Sequence, residues 1–479
     1  MSLRIKSLYL LVILWSFHCS EAVVSQPLFL TPYLDKGRIR EAQSDSLVNS
    51  SLFGTDFPNV SHSGYITVNK TLGNHLFFWF FPCLLNTSAP ILVWLNGGPG
   101  LSSMVGLFYE NGPIEICKEE EDCEYKSRIH SWTKWFSMLY IDNPVNVGYS
   151  FSESGPAGER LTQDSVSKDL YSFMEQFYSL FPDYKKRELY IGGQSYAGKY
   201  VPYLAHVIHT QRQANLSDIP LIGIYIGGPF FDPPTQSPVY FNYLYSMGAI
   251  SYQQMLLYQK EVQELIAVSV SEPSKLISLN AFIRNLIPET GIPSNDNYVT
   301  GRIINRQKLS KIMSSESVRA ALHVHVHNAR IVNLELNDRF GPDILVSAKS
   351  QLATLMDHYK VLVYSGDQDV IVSAQMVETA LLSTPWSLQW EYNQASKFIW
   401  GAGGSSDKME LRGFFSLTGR FCRVTVKGAG HMTAEDKPEA TLDMMKQFVQ
   451  NGCISTQFIS NKTYNLWDTL EYCKEDEFF

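Results

Sequence analysis

Residues Leu189-Tyr190-Ile191-Gly192-Gly193-Gln194-Ser195-Tyr196-Ala197-Gly198 decide the reading of this chain. A short aromatic and β-branched run ends in two glycines, and a serine then stands between small residues that open a helical pattern. A buried parallel strand passing into a helix reads this way. A nucleophile elbow needs the same context, because its serine sits on a sharp turn that lifts the hydroxyl above a sheet. Small neighbours are required where backbone meets backbone. The generic pattern G-x-S-x-G fails at its last position, where Ala197 stands, although alanine is also small. Glycine-rich turns after strands are common, so the partners of Ser195 must decide.

Working outward, similar runs recur. Ile91-Leu92-Val93-Trp94-Leu95 stops at Asn96-Gly97-Gly98-Pro99-Gly100, and Met138-Leu139-Tyr140-Ile141 stops at Asp142-Asn143-Pro144. The runs 221–226 and 361–364 also end in glycine, and 423–426 leads into Gly428-Ala429-Gly430. Between them, 164–181 carries Val166, Leu170, Phe173, Phe177 and Leu180 at helical spacing, with Pro182 as the stop. Alternating strand and helix signals predict a three-layer α/β fold with a mostly parallel sheet. Residues 229–345 break the rhythm, with amphipathic stretches near 252–268 and 315–322, as an insertion capping the sheet would. The expected division is 1–22 leader, 23–228 first part of the core, 229–345 cap, and 346–479 second part of the core with its tail.

A serine becomes a nucleophile when a histidine takes its proton and a carboxylate holds that histidine. In the α/β-hydrolase order these follow the serine as Asp or Glu and then His, each on a loop after a strand. Asp369 and His431 stand in that order behind 361–364 and 423–426, with Asp367 a rival orienting acid. The developing oxyanion needs donors. The Tyr196 N–H is one, and Gly98 in the loop after 91–95 is placed for the second.

The remaining bounds concern address and partners. Arg4 and Lys6, an apolar run over 8–17 and Ser20-Glu21-Ala22 form a secretory signal. No later apolar run is long enough to span a bilayer. Sequons occur at Asn49, Asn59, Asn69, Asn86, Asn215 and Asn461. Outside the signal, Cys83, Cys117, Cys123, Cys422, Cys453 and Cys473 make an even number in an oxidising compartment, which predicts disulfides, with 117 and 123 able to close a local loop. The chain is 45% hydrophobic, 18% charged and carries a net charge of −8. Disorder is excluded by the first figure, and the third, without a basic stripe, speaks against nucleic acid. The alternating His323-Val324-His325-Val326-His327 would present three imidazoles if it were a strand, but no further ligand is near and cap surface is the reading preferred, so no metal and no cofactor are expected. Phe77-Phe78-Trp79-Phe80-Phe81 reads as a buried strand.

Longer motifs carry a resemblance. Trp94-Leu95-Asn96-Gly97-Gly98-Pro99-Gly100, Gly106-Leu107-Phe108-Tyr109-Glu110-Asn111-Gly112-Pro113, Ser195-Tyr196-Ala197-Gly198-Lys199-Tyr200-Val201-Pro202 and Gly428-Ala429-Gly430-His431-Met432 resemble the serine carboxypeptidases, and among them the vitellogenic-like ones. The similarity extends from Gln26 to about Gln447. It implies an α/β-hydrolase fold with helices on both faces of the sheet and a helical cap. It further implies a triad of Ser195, Asp369 and His431, an oxyanion hole from Gly98 and Tyr196, and release of C-terminal amino acids from peptides or proteins. Asn96, Gly97 and Glu110 match family positions that bind the substrate carboxylate, and Met432 matches one lining the leaving-group pocket. The fourth carboxylate-binding position, glutamate in the family, is Gln194. Two facing carboxyls accept an anion only when protonated, whereas an amide always offers N–H, so weakened acid dependence is expected. Asn146 and Thr433-Ala434 also depart from the family pattern, and no cysteine lies between 123 and 422. An acyltransferase or esterase using the same triad, and a silent secreted binding protein, remain the other readings, with monomer and homodimer both open and residence either extracellular or lysosomal/vacuolar.

Overall fold

Strand β2 (Asn74–Phe81) shows how the sequence builds the core, because all eight of its residues are buried. Successive side chains point to opposite faces of a sheet. Phe78 and Phe80 accordingly join one hydrophobic cluster, where they meet Phe173 and Phe177, while Phe77, Trp79 and Phe81 join another. A strand that is apolar on both sides must lie inside a layered fold. Each buried ring contributes roughly 1.5–3 kcal/mol.

The computed structural model describes residues 26–455 apart from 55–56, 84, 119–120, 272–289, 295, 325–328 and 403–409. The signal, Asn461, Cys473 and the acidic tail lie outside the described residues. With β2 run β1 (His62–Asn69), β3 (Ile91–Leu95), β4 (Ile114–Ile116), β5 (Tyr125–Ser127), β6 (Ser137–Ile141), β7 (Phe151–Ser152) and β8 (Leu189–Gln194). Then come β9 (Leu221–Gly227), β10 (Lys360–Gly366), β11 (Phe398–Ala402), β12 (Glu410–Thr418) and β13 (Phe421–Val426). The main sheet runs β1-β2-β6-β3-β8-β9-β10-β13-β12-β11, with β7 beside β2, and β4 pairs with β5 apart from it. From β6 to β13 every pairing is parallel, while the outer pairings are antiparallel. The expected strands and the α/β class are therefore both present.

Helices cover both faces. The helix Gln163–Leu180 starts at a capping box formed by Thr162 and Ser165 and buries Val166, Leu170, Phe173 and Phe177. It shares its face with the helix Ala197–Gln213 that leaves the elbow. The helix Pro438–Asn451 buries Leu442, Met445 and Phe448 in the opposite cluster. Between β9 and β10 the described residues hold helices and loops, among them Pro233–Ser246, Tyr252–Ser271 and Glu316–Ala321. No helix among the described residues is long and apolar enough to cross a membrane.

Cys117–Cys123 closes the connection between β4 and β5, and Cys422–Cys453 ties β13 to the end of the helix Pro438–Asn451. Cys83 keeps a buried thiol beside the Lys134 carbonyl. The imidazole strand does not form at its start: His323 lies in a turn with φ 59° and is held by Ser63, while 325–328 are outside the described residues. The Cys422–Cys453 link spans 31 residues of sequence. Chain-entropy arguments give such a loop roughly 3–4 kcal/mol of stabilisation. Replacing both cysteines by serine should therefore lower the thermal midpoint without changing the far-ultraviolet spectrum at 20 °C, and an unchanged midpoint would contradict it.

Candidate active site

The parallel order puts the C-terminal ends of β3, β8, β9, β10 and β13 side by side; Gln194 ends β8, Glu110 lies in the helical turn Gly106–Asn111 after β3, and the other catalytic and binding candidates follow β3, β8, β10 or β13. At the end of β8, Ser195 adopts φ 64°. That left-handed conformation is strained for a serine and is what a nucleophile elbow requires. It is held from both sides. Ser195 N–H donates to the Gly227 carbonyl at 2.9 Å, and its own carbonyl accepts from Gly198 and Phe230 at 2.8 and 3.0 Å. At Gly193 an added Cβ would fall 2.0 Å from the Leu95 carbonyl, so β8 can approach β3 this closely only with glycine there.

The loops after β10 and β13 bring the acid and the imidazole together. Asp369 Oδ2 accepts from His431 Nδ1 at 2.7 Å, and Asp369 Oδ1 accepts from the N–H groups of Ile371 and Val372 at 2.8 and 2.9 Å. Asp369 is fully buried. Its rival Asp367 instead accepts from Gly428 N–H at 2.7 Å, bracing the turn that precedes the histidine. Burial pushes the His431 imidazole down, but Asp369, and behind it Asp296, outweigh burial and leave it above its ordinary value. Among the described residues no hydrogen bond joins Ser195 Oγ to His431, a contact that in ligand-free sites is often long. Ser195, Tyr196 and Gly98 line one cavity of about 380 Å³, whose walls include Phe230, Tyr240 and Leu334.

The loop after β3 carries the other candidates. A Cβ at Gly97 would lie 2.4 Å from the Tyr196 nitrogen, so the loop packs directly on the turn after Ser195. Asn96 Oδ1 accepts from Trp94 Nε1 and Gly106 N–H at 2.8 and 3.0 Å, which leaves the amide NH₂ free to donate. Glu110 is buried, and burial raises its carboxyl well above the usual range; Glu435 pushes it further and Arg128 opposes. Gln194 Nε2 donates to the His431 carbonyl at 2.9 Å. Glu110 Oε1 and Gln194 Oε1 are buried without a hydrogen-bond partner among the described residues. Met432 is buried directly after His431.

Four residues of this neighbourhood were not foreseen. Asp142 accepts from Ser102 Oγ, Ser103 N–H and Tyr149 N–H, tying the β3 loop to the β6 loop, and burial raises it to about 6. Asp296 takes His431 N–H on its carbonyl at 2.6 Å. Glu435, ion-paired with Arg302, is raised by burial to about 7, and Asp436 accepts from Asn297 and from Gly430 N–H. Asp142 belongs to a motif visible in the sequence; Asp296, Glu435 and Asp436 give no local signal, because they act by proximity between segments far apart in sequence. Asn146, with φ 67°, occupies a left-handed position that asparagine tolerates, and it is braced by Glu159. Of the sequons within the described residues, Asn49, Asn59, Asn86 and Asn215 are exposed and Asn69 is half-buried.

If Asp296 helps to charge His431, neutralising it should ease deprotonation. The pH midpoint for reaction of Ser195 with an organophosphorus reagent is expected above the ordinary imidazole value of 6.5. In Asp296→Asn it should move down, and an unmoved midpoint would remove Asp296 from the field acting on the imidazole.

The comparisons with known proteins agree with one another. The family model described as serine carboxypeptidase matches residues 53–451. A probable serine carboxypeptidase CPVL of Rattus norvegicus is 38% identical over 440 residues, covering 88% of this chain and 89% of the relative. The vitellogenic carboxypeptidase of Aedes aegypti is 33% identical over 445 residues, covering 89% and 90%. Among solved structures, a prohormone-processing carboxypeptidase from Saccharomyces cerevisiae superposes with a TM-score of 0.72 at 21% identity, covering 85% of this chain and 94% of that one.

Proposed function

The chain belongs to the serine carboxypeptidase family, and from that premise we propose that it releases C-terminal amino acids from peptides through a Ser195 acyl-enzyme. Ser195 Oγ attacks the last peptide carbonyl while His431 takes its proton, and Asp369 holds the imidazole and stabilises its charged form. The tetrahedral oxyanion is received by the N–H groups of Gly98 and Tyr196. His431 then protonates the leaving amine, and water reverses the sequence on the ester. The observation that carries this reading is the 2.7 Å Asp369–His431 contact beside a cavity lined by Ser195, Tyr196 and Gly98. The segment 229–345 is the cap, inserted between core parts 23–228 and 346–479.

The free terminus is read by Asn96, Gly97, Glu110 and Gln194. The amide of Asn96 is turned so that its NH₂ donates, and a raised Glu110 carboxyl stays protonated and donates as well. Gln194 offers an N–H at every pH. Met432 borders the leaving residue, and the acyl side faces apolar walls at Tyr240, Leu334 and Ile371. The secretory signal, two disulfides and exposed sequons support a route through an oxidising compartment to an extracellular or lysosomal/vacuolar site, with glycans on the sequons. The partners are peptide or protein C-termini, and no cofactor enters the scheme.

N-blocked dipeptides and their C-terminal amides separate the readings. Release of the last residue only from the free acids is expected; equal cleavage of both would reject carboxylate recognition and favour an esterase or acyltransferase. Ser195→Ala should lower kcat by about 10⁶ and Asp369→Asn by about 10⁴. Gln194→Glu sets a second carboxyl beside Glu110, so its KM should begin to rise at lower pH than that of the native enzyme, with kcat retained. Identical KM profiles would sink the role given to Gln194.

A further inference from the structure

Away from the catalytic loops, at the N-terminal ends of the parallel strands, lies a second cavity of about 710 Å³. Its lining is one-signed. The helix Ala197–Gln213 supplies His209 and Arg212, the end of the helix Lys349–His358 supplies His358, the first residue of β10 is Lys360, and Arg420 sits in the turn between β12 and β13. Among the described residues no acidic side chain lines it, in a chain whose net charge is −8. None of Arg212, Lys360 and Arg420 forms an ion pair among the described residues. Each instead uses a donor on a backbone carbonyl: Arg212 on Leu221 at 2.9 Å, Lys360 on Val449 at 2.9 Å and Arg420 on His358 at 3.0 Å. Backbone anchors orient a cation without neutralising it, and a guanidinium so held keeps further N–H groups for a ligand.

Two acids have partners near this cavity: Asp357 accepts from Ser387, and Glu188 accepts from the Tyr190 hydroxyl, which itself accepts from Lys360 Nζ at 3.4 Å. The imidazoles of His209 and His358 stand 4.7 Å apart, with His206 beyond and the Tyr359 hydroxyl 3.1 Å from His209 Nδ1. Burial, and then the charges of His358, His206 and Arg212, hold His209 below its ordinary value. Unpaired cations grouped this closely repel one another, and a multivalent anion removes that repulsion.

We propose that this cavity binds a phosphate or sulfate group, held between the guanidinium groups of Arg212 and Arg420 with Lys360 and the two imidazoles around it. Its volume is in the range of small-molecule sites and exceeds what one oxyanion fills, so an ester on a small organic carrier fits better than the free ion. A bound dianion favours protonated His209, which is otherwise held below its ordinary value, so affinity rises as pH falls. Sulfate tests that coupling cleanly, because it stays a dianion across the range.

Titration calorimetry on the full glycosylated protein, at constant ionic strength set with chloride, gives the measurement. Inorganic sulfate should give saturable binding in the native protein, several-fold tighter at pH 5.5 than at pH 7.5. Arg212→Ala/Arg420→Ala should weaken it at least tenfold while peptide hydrolysis is unchanged, and His209→Gln/His358→Gln should flatten the pH dependence. Glycerol 3-phosphate binding more tightly than inorganic phosphate would identify an ester as the ligand, and equal affinities would identify the free oxyanion. Absence of saturable sulfate and phosphate binding at both pH values, or unaltered binding in the arginine double variant, would overturn the proposal.

Discussion

The site depends on one close approach: the end of β8 against the end of β3, with Ser195 forced into a left-handed turn between them. The Leu95 carbonyl leaves no room for a side chain at Gly193, and the Tyr196 nitrogen leaves none at Gly97. Hydrogen bonds to Gly227 and Phe230 then close the turn from the β9 side. A strained conformation persists only where its surroundings over-determine it, and here the ends of β3 and β9 with their loops do so. The same contact presents the Tyr196 N–H and the glycine loop together, so the proposed nucleophile and oxyanion donors arise from one packing event.

Around that turn the charges are arranged asymmetrically. Glu110, Glu435, Asp436 and Asp296 gather close enough to act on one another, countered by Arg128 and Arg302. Crowding acids in a buried place keeps some of them protonated, which is how a carboxyl can face a carboxylate. Gln194 reduces that crowding at one position, while Glu435 adds to it at another. At the far end of the strands the sign is reversed, with cations anchored on carbonyls and no acid lining the cavity among the described residues. The excess of acids in the composition is thus not spread evenly over the fold.

Much of this was readable in one dimension for a definite reason. Buried parallel strands are apolar on both sides and stop at glycine, so 91–95, 189–194 and 361–366 announce themselves, and the order of serine, acid and histidine behind them marks the fold. Local pattern leaves Asp367 as a rival to the Asp369 that the family resemblance implies; in space both follow β10, but one reaches His431 while the other turns to Gly428. Asp296, Glu435 and Asp436 were invisible because no periodicity or motif links 294–302 to the helix after the catalytic loop. The histidine alternation at 323–327 reads as cap surface in preference to a strand, and its first residue, His323, adopts a left-handed turn anchored on Ser63.

The sequence by itself determined the α/β class, the strand and helix order and the position of the elbow, and it supplied the residues proposed for a serine hydrolase mechanism. Those follow from local rules: side-chain period, glycine at tight turns, and the order in which loops leave a parallel sheet. Only the tertiary structure decided which acid touches the histidine, which carboxyls shift one another, and that the cations of the helix Ala197–Gln213, β10 and the β12–β13 turn form one cavity. These are long-range matters, because electrostatics and burial depend on distance in space, and residues far apart in sequence are brought near only when the sheet closes its order.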